Sequence, residues 1–502
     1  MGCGTGKPAA VSPLGGSPVC TVVPTKAADA KPVAVVLPGG YAKQIMEDSP
    51  FTYHILDDPN YNMGNVMSFD ADRFVEEAIK YCRTHGIKGV FGFDCFPSLL
   101  ASIINTALQL PGPSFLSVFH CVSKYYMRKA LTPEVKVGMI DPKTCAKQVP
   151  PNPEEFPLVV KETDCQFYIG TWIVHSKDEW VTLMEKLSSR DQKLHDQRKQ
   201  FYFKWFQQLH PQNAPEARWE DFVLYHSEPY FAGREHQIEI VVDNGKELVA
   251  DTGDMIKVGD ILGMFVTPGS FEMPKVFAHD ITKKLYDMGY NNQALDLEFI
   301  FTESGPQLVE INSRYSYMGF RSWYEVHGTH APAATSQLAS KPCLRNLENR
   351  TRSCLGEPVP KFPSDSNVIS KLAVAVFTNK TGPVKDIVDL DYLEKVVQEG
   401  KAECWVPKPA FKAGVIKETD LSYGEGNVFC KLGFIMMTAK RTDFEATNAA
   451  IRGMFKNIFR EADSYLLVQD DEIGYEVDKN ALLSLDEAPA SRIEAAAAEC
   501  CC

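Results

Sequence analysis

Leu295-Asp-Leu-Glu-Phe-Ile-Phe301 alternates apolar and acidic side chains, Thr302-Glu-Ser-Gly-Pro306 turns the chain, and Gln307-Leu-Val-Glu-Ile-Asn-Ser-Arg314 returns it. Alternation with a period of two predicts a β-hairpin with one apolar and one polar face. Leu295, Leu297, Phe299 and Phe301 share the apolar face, and Asp296 and Glu298 the polar one. Glu310 and Asn312 are two apart and point the same way, with Glu298 across the turn. Two carboxylates and an amide oxygen on adjacent strands form a hard-oxygen cluster suited to Mg²⁺, which keeps waters and shares its shell with substrate phosphates. Arg314 follows two residues later and is placed to reach an anion beside the ion. Spacing alone weighs this equally against an exposed polar hairpin face.

Working outward, Lys31–Gly40 reads as a buried strand entering a double glycine. A helix with Phe74, Val75, Ala78, Ile79 and Cys82 on one side comes next, then a second strand, Ile87–Asp94, and a second helix, Ser98–Leu110. This alternation predicts a parallel sheet covered by helices. Strands follow near 159–161 and 170–174. Ser176-Lys-Asp-Glu179 fits a capping box, and the helical pattern to Leu209 is long enough to be two helices. Asn244-Gly245 marks a hairpin between Gln237–Val242 and Glu247–Asp251. Residues 341–368 read as a connection, and strands at 371–378 and 428–438 with a helix near 444–459 make a last unit.

The 502 residues allow three or four structural units. Apolar residues at 44% and charged residues at 23% are ordinary for a globular protein. A net charge of −13 argues against nucleic acid or an anionic membrane surface as a partner. No apolar run is long enough to span a bilayer, and neither a secretory leader nor a CxxC pair is present, so the 14 cysteines read as reduced, cytoplasmic core thiols. Met1-Gly2-Cys3 offers sites for myristate and palmitate, and with them membrane association. Glu-Cys-Cys-Cys at 499–502 is not a CaaX box.

The spacings of Glu298, Glu310, Asn312 and Arg314 resemble the metal-binding end of the ATP-grasp superfamily, of the carboxylate–amine or L-amino-acid ligase type, related to biotin carboxylase and D-alanine–D-alanine ligase. Lys124, in Ser-Lys-Tyr-Tyr-Met-Arg-Lys-Ala-Leu, is similar to the first nucleotide lysine of that family, and Lys161, in Phe-Pro-Leu-Val-Val-Lys, to the second. Gly170 resembles the last glycine of the phosphate-covering loop. Glu228 and Glu235 resemble the adenine-hinge and ribose-contacting acids, with His236 beside them. The match runs over about residues 33–340, in order.

The resemblance implies an ATP-grasp fold, mixed α/β and α+β. Residues 1–30 would be a disordered tail and 31–125 a Rossmann-like pre-ATP-grasp domain. Residues 126–225 would form the lid subdomain, 226–340 the antiparallel catalytic subdomain with the metal site, 341–486 a C-terminal α/β extension and 487–502 a Cys-ended tail. It implies ATP and two Mg²⁺ (or Mn²⁺) as cofactors, with Lys124, Lys161, Gly170, Glu228, Glu235 and His236 on the nucleotide. Glu298, Glu310 and Asn312 would hold the metal, and Arg314 would be catalytic. The activity implied is ADP-forming ligation of a small carboxylate to an amine, with a homodimer left open. The stretch Thr163-Asp-Cys-Gln-Phe-Tyr-Ile-Gly170 departs from the small-residue pattern of the family's loop. Asp164 would repel phosphate there, which leaves a second expectation: a weak or inactive relative serving as a structural or membrane-tethered module.

Overall fold

The computed structural model describes residues 19–23 and 31–461, apart from 39–45, 47–48, 62–68, 165–169, 190–192, 213–222, 234, 259–260, 268–271, 303, 315–340, 360–370, 379, 400–403, 408, 418–421, 425–426, 439–452 and 455. The acylation sites, Arg321 (a candidate for binding the substrate carboxylate) and most of the helix expected at 444–459 lie outside the described residues.

The first sheet has the order β1 (Val19–Val23), β3 (Thr52–Asp57), β2 (Pro32–Val36), β4 (Gly89–Gly92). β2 pairs in parallel with β3 and β4, as the strand–helix alternation predicts, while β1 adds an antiparallel edge. Val19–Val23 thus corrects the reading of residues 1–30 as a tail: five residues of Val, Cys and Thr satisfy an open sheet edge. Helix α1 (Ala71–Thr84) buries Phe74, Val75, Ala78 and Cys82, and Asp70 caps it by accepting from the Arg73 N–H. Asp94 stands before α2 (Cys95–Leu108) and accepts from the adjacent Cys95 N–H. Helices α3 (Phe115–Val122) and α4 (Lys124–Leu131) follow directly.

A second sheet, antiparallel, runs β5 (Gly138–Ile140), β8 (Tyr225–Pro229), β6 (Leu158–Glu162), β7 (Thr171–Val174). The long helical stretch before β8 is two helices, α5 (Lys177–Ser188) and α6 (Lys193–Leu209). The N–H that opens α4, on Lys124, donates to the carbonyl of Thr163 at 2.6 Å, so the start of this helix is fixed against the end of β6.

The largest sheet is antiparallel and starts β13 (Gly305–Asn312), β12 (Gln293–Thr302), β9 (Glu235–Asp243), β10 (Lys246–Val258), β11 (Ile261–Thr267). Asn244 and Gly245 form the expected turn, with φ of 48° and 78°. β14 (Lys371–Thr378), Asn427–Thr438 and Cys404–Pro407 continue the same sheet beyond β11. Helix α7 (Glu272–Asp287) buries Ala278, Ile281 and Leu285. Among the described residues, no helix is long and apolar enough to cross a membrane.

Residues 341–354 are a helix, α8 (Lys341–Cys354), where the composition suggested a connection. Its buried side carries Leu347, Arg350, Thr351 and Cys354. That is helical spacing, but one aliphatic residue in four hides it from a hydrophobicity reading. Arg350 donates to the carbonyl of Gly92 at 3.2 Å and lies over the Phe93 ring. A Cβ on Gly89 would stand 2.4 Å from the Cys354 carbonyl oxygen, so this close approach requires glycine.

The hydroxyl of Tyr290, fully buried, donates to the Ala294 carbonyl at 2.6 Å and meets Ser313 Oγ at 3.1 Å, joining the start of β12 to the end of β13. Tyr290→Phe is expected to cost about 1–3 kcal/mol, the usual consequence of leaving a buried polar group unpaired. It would appear as an earlier urea transition reported by this sheet.

Candidate active site

Three strands present one polar face. In the ladder, Glu298 of β12 stands opposite Glu310 of β13 and opposite Gln237 of β9, while Asp296 stands opposite Asn312 and Glu239. A bulge after Glu298 shifts the β12–β13 register without breaking this alignment. Carboxylates directly opposite in an antiparallel pair repel one another, so the face needs cations. Lys124 Nζ lies 3.0 Å from Glu310 Oε2. Burial would raise the Glu310 carboxyl, but Lys124, then Lys161 and Arg314, outweigh it and hold it below its usual range. Arg314 Nη1 donates to Asp296 Oδ2 at 3.0 Å, and the Gln237 amide donates to the other Asp296 oxygen. Burial pushes Asp296 up to about 6 against the pull of Arg314 and Gln237.

Asn312 donates from Nδ2 to Glu298 Oε1 at 2.9 Å, and its Oδ1 accepts the Cys95 thiol at 3.0 Å. Turning the amide over exchanges the two ends, and the thiol sulfur can accept as well as donate. The amide oxygen can thereby join the two carboxylates. Among the described residues no group of three or more His, Cys, Asp and Glu side chains could hold a metal ion by itself. The donor chemistry of Glu298, Glu310 and Asn312 nevertheless fits a hard divalent ion that completes its shell with water and phosphate oxygens. Cys95 is buried, which raises its thiol to about 12 and leaves it a hydrogen-bonding, unreactive group.

Next to this face is a second buried cluster. Strand pairing puts Val159 opposite Glu228 and Lys161 opposite His226, so the four side chains share a face. Lys161 Nζ is 2.5 Å from Glu228 Oε1, and Arg128 Nε is 2.7 Å from Glu228 Oε2. Arg128 is one helical turn beyond Lys124 on α4. Burial would raise Glu228, but Arg128, Lys161 and His226 reverse this and hold it well below the ordinary carboxylate range. Burial holds His226 below the usual histidine range despite Glu228, so the ring is neutral near pH 7. Two cations face one anion, an arrangement that favours an additional anion.

The structure brings Lys124, Lys161, Glu228, Glu298, Glu310, Asn312 and Arg314 into these two linked clusters. Gly170 stands at the start of β7 with φ of 74°, and its carbonyl accepts the Glu162 N–H. His236 is not brought to them. Its ring stacks on Phe299 at 5.7 Å and meets the Phe301 edge at 4.7 Å, on the apolar side of β9 and β12. Alternation along β9 explains the correction, because Gln237 and Glu239 take the polar side. The side chain of Glu235 lies outside the described residues. Three participants, Asp296, Arg128 and Gln237, were not among the predicted site residues. Asp296 precedes Glu298 by two and was legible by the same alternation. Arg128 was legible as the residue four after Lys124. Gln237 gave no local signal.

No protein-family model matches the sequence, and no curated protein matches it. Solved structures do match the fold. An L-amino acid ligase from Bacillus licheniformis superposes with a TM-score of 0.54 at 14% identity, covering 85% of this chain and 98% of that one. Carboxyaminoimidazole ribonucleotide synthase from Aspergillus clavatus, complexed with ATP, gives 0.52 at 15% identity, with 85% and 98% covered. These neighbours are ATP-grasp enzymes. This chain has the ATP-grasp fold. N5-carboxyaminoimidazole synthetase from Staphylococcus aureus, complexed with ADP, gives 0.51 at 11% identity, with 85% of this chain and 97% of that one covered.

Glu228→Gln leaves Arg128 and Lys161 buried without their anion and is expected to cost about 3–5 kcal/mol. Because the folded-state pKa of Glu228 is depressed, its contribution is complete above the unfolded glutamate pKa of about 4.3 and is lost as pH falls below it. Urea unfolding should therefore separate wild type from variant at pH 7 and bring them together in acid.

Proposed function

We propose that this chain is an ATP-dependent ligase that activates a small carboxylate as an acyl phosphate and joins it to an amine, releasing ADP and phosphate. The observation that carries the reading is the ion pair of Lys124 with Glu310, within the field of Lys161 and Arg314 and opposite Glu298. A cluster of cations beside a hard-oxygen face is what a polyphosphate with divalent ions requires. The neighbouring ATP-grasp enzymes support the same class of reaction. In this reading residues 31–125, 126–225 and 226–340 are the pre-ATP-grasp, lid and catalytic units, and 341–486 the extension.

Phosphoryl transfer asks for alignment and charge neutralisation more than covalent help. Lys124 and Lys161 bind the α- and β-phosphates, and Glu228 orients Lys161 from below. Glu298, Glu310 and Asn312 would hold Mg²⁺, which would supply neutralisation of the phosphate charge. The γ-phosphoryl group passes to a carboxylate oxygen, leaving ADP. The amine nitrogen attacks the acyl carbon, the phosphate leaves with its bonding pair, and the nitrogen loses a proton. Arg314, held by Asp296, stabilises the acyl phosphate and the oxyanion that follows. Removing such a preorganised donor costs about 10²–10³ in rate. Glu235 and Gly170 are proposed at the ribose and the phosphates.

The test is ADP release by purified protein against pairs of amino acids, with Mg²⁺ and then with chelator. Glu310→Gln should abolish release, and it should lower the melt because Lys124 loses its anion, while the variant remains folded by circular dichroism. Full ADP release by Glu310→Gln would overturn the assignment. A silent screen together with no measurable nucleotide binding would favour the inactive structural module.

A further inference from the structure

Strand β6 ends Lys161-Glu162, and Asp164 follows two residues later. On the proposed reading, two carboxylates thus follow closely on the lysine that grips phosphate. Alternation turns Glu162 to the opposite side of the strand from Lys161, towards α6. There Arg198 Nη1 lies 2.8 Å from Glu162 Oε1 and also contacts Asp164 Oδ1, while the Tyr202 hydroxyl donates to Asp164 Oδ2 at 3.3 Å. The ion pairs are largely shielded from water, with the Arg198 side chain 18% exposed and each carboxylate 11%. Burial works against the Arg198 charge, but Asp164 and then Glu162 overcome it, so the guanidinium stays ionised. Glu162 also sets the far end of this segment: a Cβ on Gly170 would stand 2.7 Å from Glu162 Oε2.

We infer that Arg198 is a positioning residue for the nucleotide phosphates, cancelling Glu162 and Asp164 so that the end of β6 presents the positive field of Lys161 rather than a net negative one. It touches no ligand; it acts through the two carboxylates. At low effective dielectric, uncompensated carboxylates one and three residues after the phosphate-binding lysine would oppose a polyanion and leave an uncharged nucleoside almost unaffected. This answers the objection that Asp164 raised in the sequence, because its charge is already taken up. The inference rests on the proposed nucleotide site, and the experiment separates the two.

Calorimetry on the full chain should compare ADP with adenosine for wild type, Arg198→Gln, Asp164→Asn and the triple variant Glu162→Gln/Asp164→Asn/Arg198→Gln. Absence of ADP binding by wild type would sink the nucleotide reading itself. With wild-type binding in hand, Arg198→Gln should weaken ADP by about tenfold or more, inside the 5–150-fold span usual for coupling between sites, and adenosine by less than about twofold. The triple variant should recover ADP affinity, and the loss in Arg198→Gln should be confined to ADP, whereas a merely structural role for Arg198 would weaken adenosine equally. Asp164→Asn keeps the arginine and should bind ADP as tightly as wild type or tighter. If Arg198→Gln fails to fold, the triple and Asp164→Asn variants decide. Equal losses for ADP and adenosine, no recovery in the triple variant, or weaker ADP binding by Asp164→Asn would each overturn the inference.

Discussion

Glu298 and Glu310 face each other across one rung of an antiparallel ladder, and everything around them answers that constraint. A strand pair brings opposite side chains within about 5 Å, where like charges destabilise the sheet. The chain offsets this by bringing a helix start to the strands: the Lys124 N–H is tied to Thr163, and its ammonium lies 3.0 Å from Glu310. Arg314 and Asp296 form a second neutralising pair on the same face. Every cation in the arrangement is one that phosphate could attract, and every carboxylate released is one that a divalent ion could take.

The neighbouring cluster shows the same economy in drier surroundings. Arg128 and Glu228 are almost fully buried. Burial of single charges is costly, and it is tolerated here because each carboxylate oxygen has a cationic donor. One helical turn links Lys124 to Arg128, so a single rigid element feeds a cation into each cluster. The geometry of both therefore depends on the entry angle of α4, which the bond from the Lys124 N–H to the Thr163 carbonyl fixes.

The fold was largely legible because period-two alternation and helical spacing are strong where one side of an element is buried. Leu295 to Phe301 and Phe74 to Cys82 are such cases. Helix α8 was not legible, since its buried side relies on Arg350 and Thr351, whose partners lie far away in sequence. Val19–Val23 escaped for a related reason: a short edge strand inside a Gly- and Pro-rich segment is fixed by its neighbour β3, not by its own pattern. In the site, the oxygen donors were placed together by their spacing, while both lysines came only from the family resemblance. His236 was misplaced because position beside a glutamate said nothing about which side of β9 it takes. Arg198 was invisible, because its role is defined by Glu162 and Asp164, more than thirty residues earlier.

The composition of the segment between β6 and β7 follows from that same distant partner. A backbone that approaches phosphate closely normally draws on small residues, because a Cβ obstructs the approach. Gly170 has such a reason here, but its obstruction is Glu162, not a ligand: φ of 74° and 2.7 Å to a carboxylate oxygen leave no space for a side chain. Glu162 in turn is held in place by Arg198. An acidic residue at position 164 is tolerated only because the guanidinium that fixes Glu162 reaches both. The glycine, the two acids and the arginine therefore stand as one unit, in which replacing any member changes what the others can be.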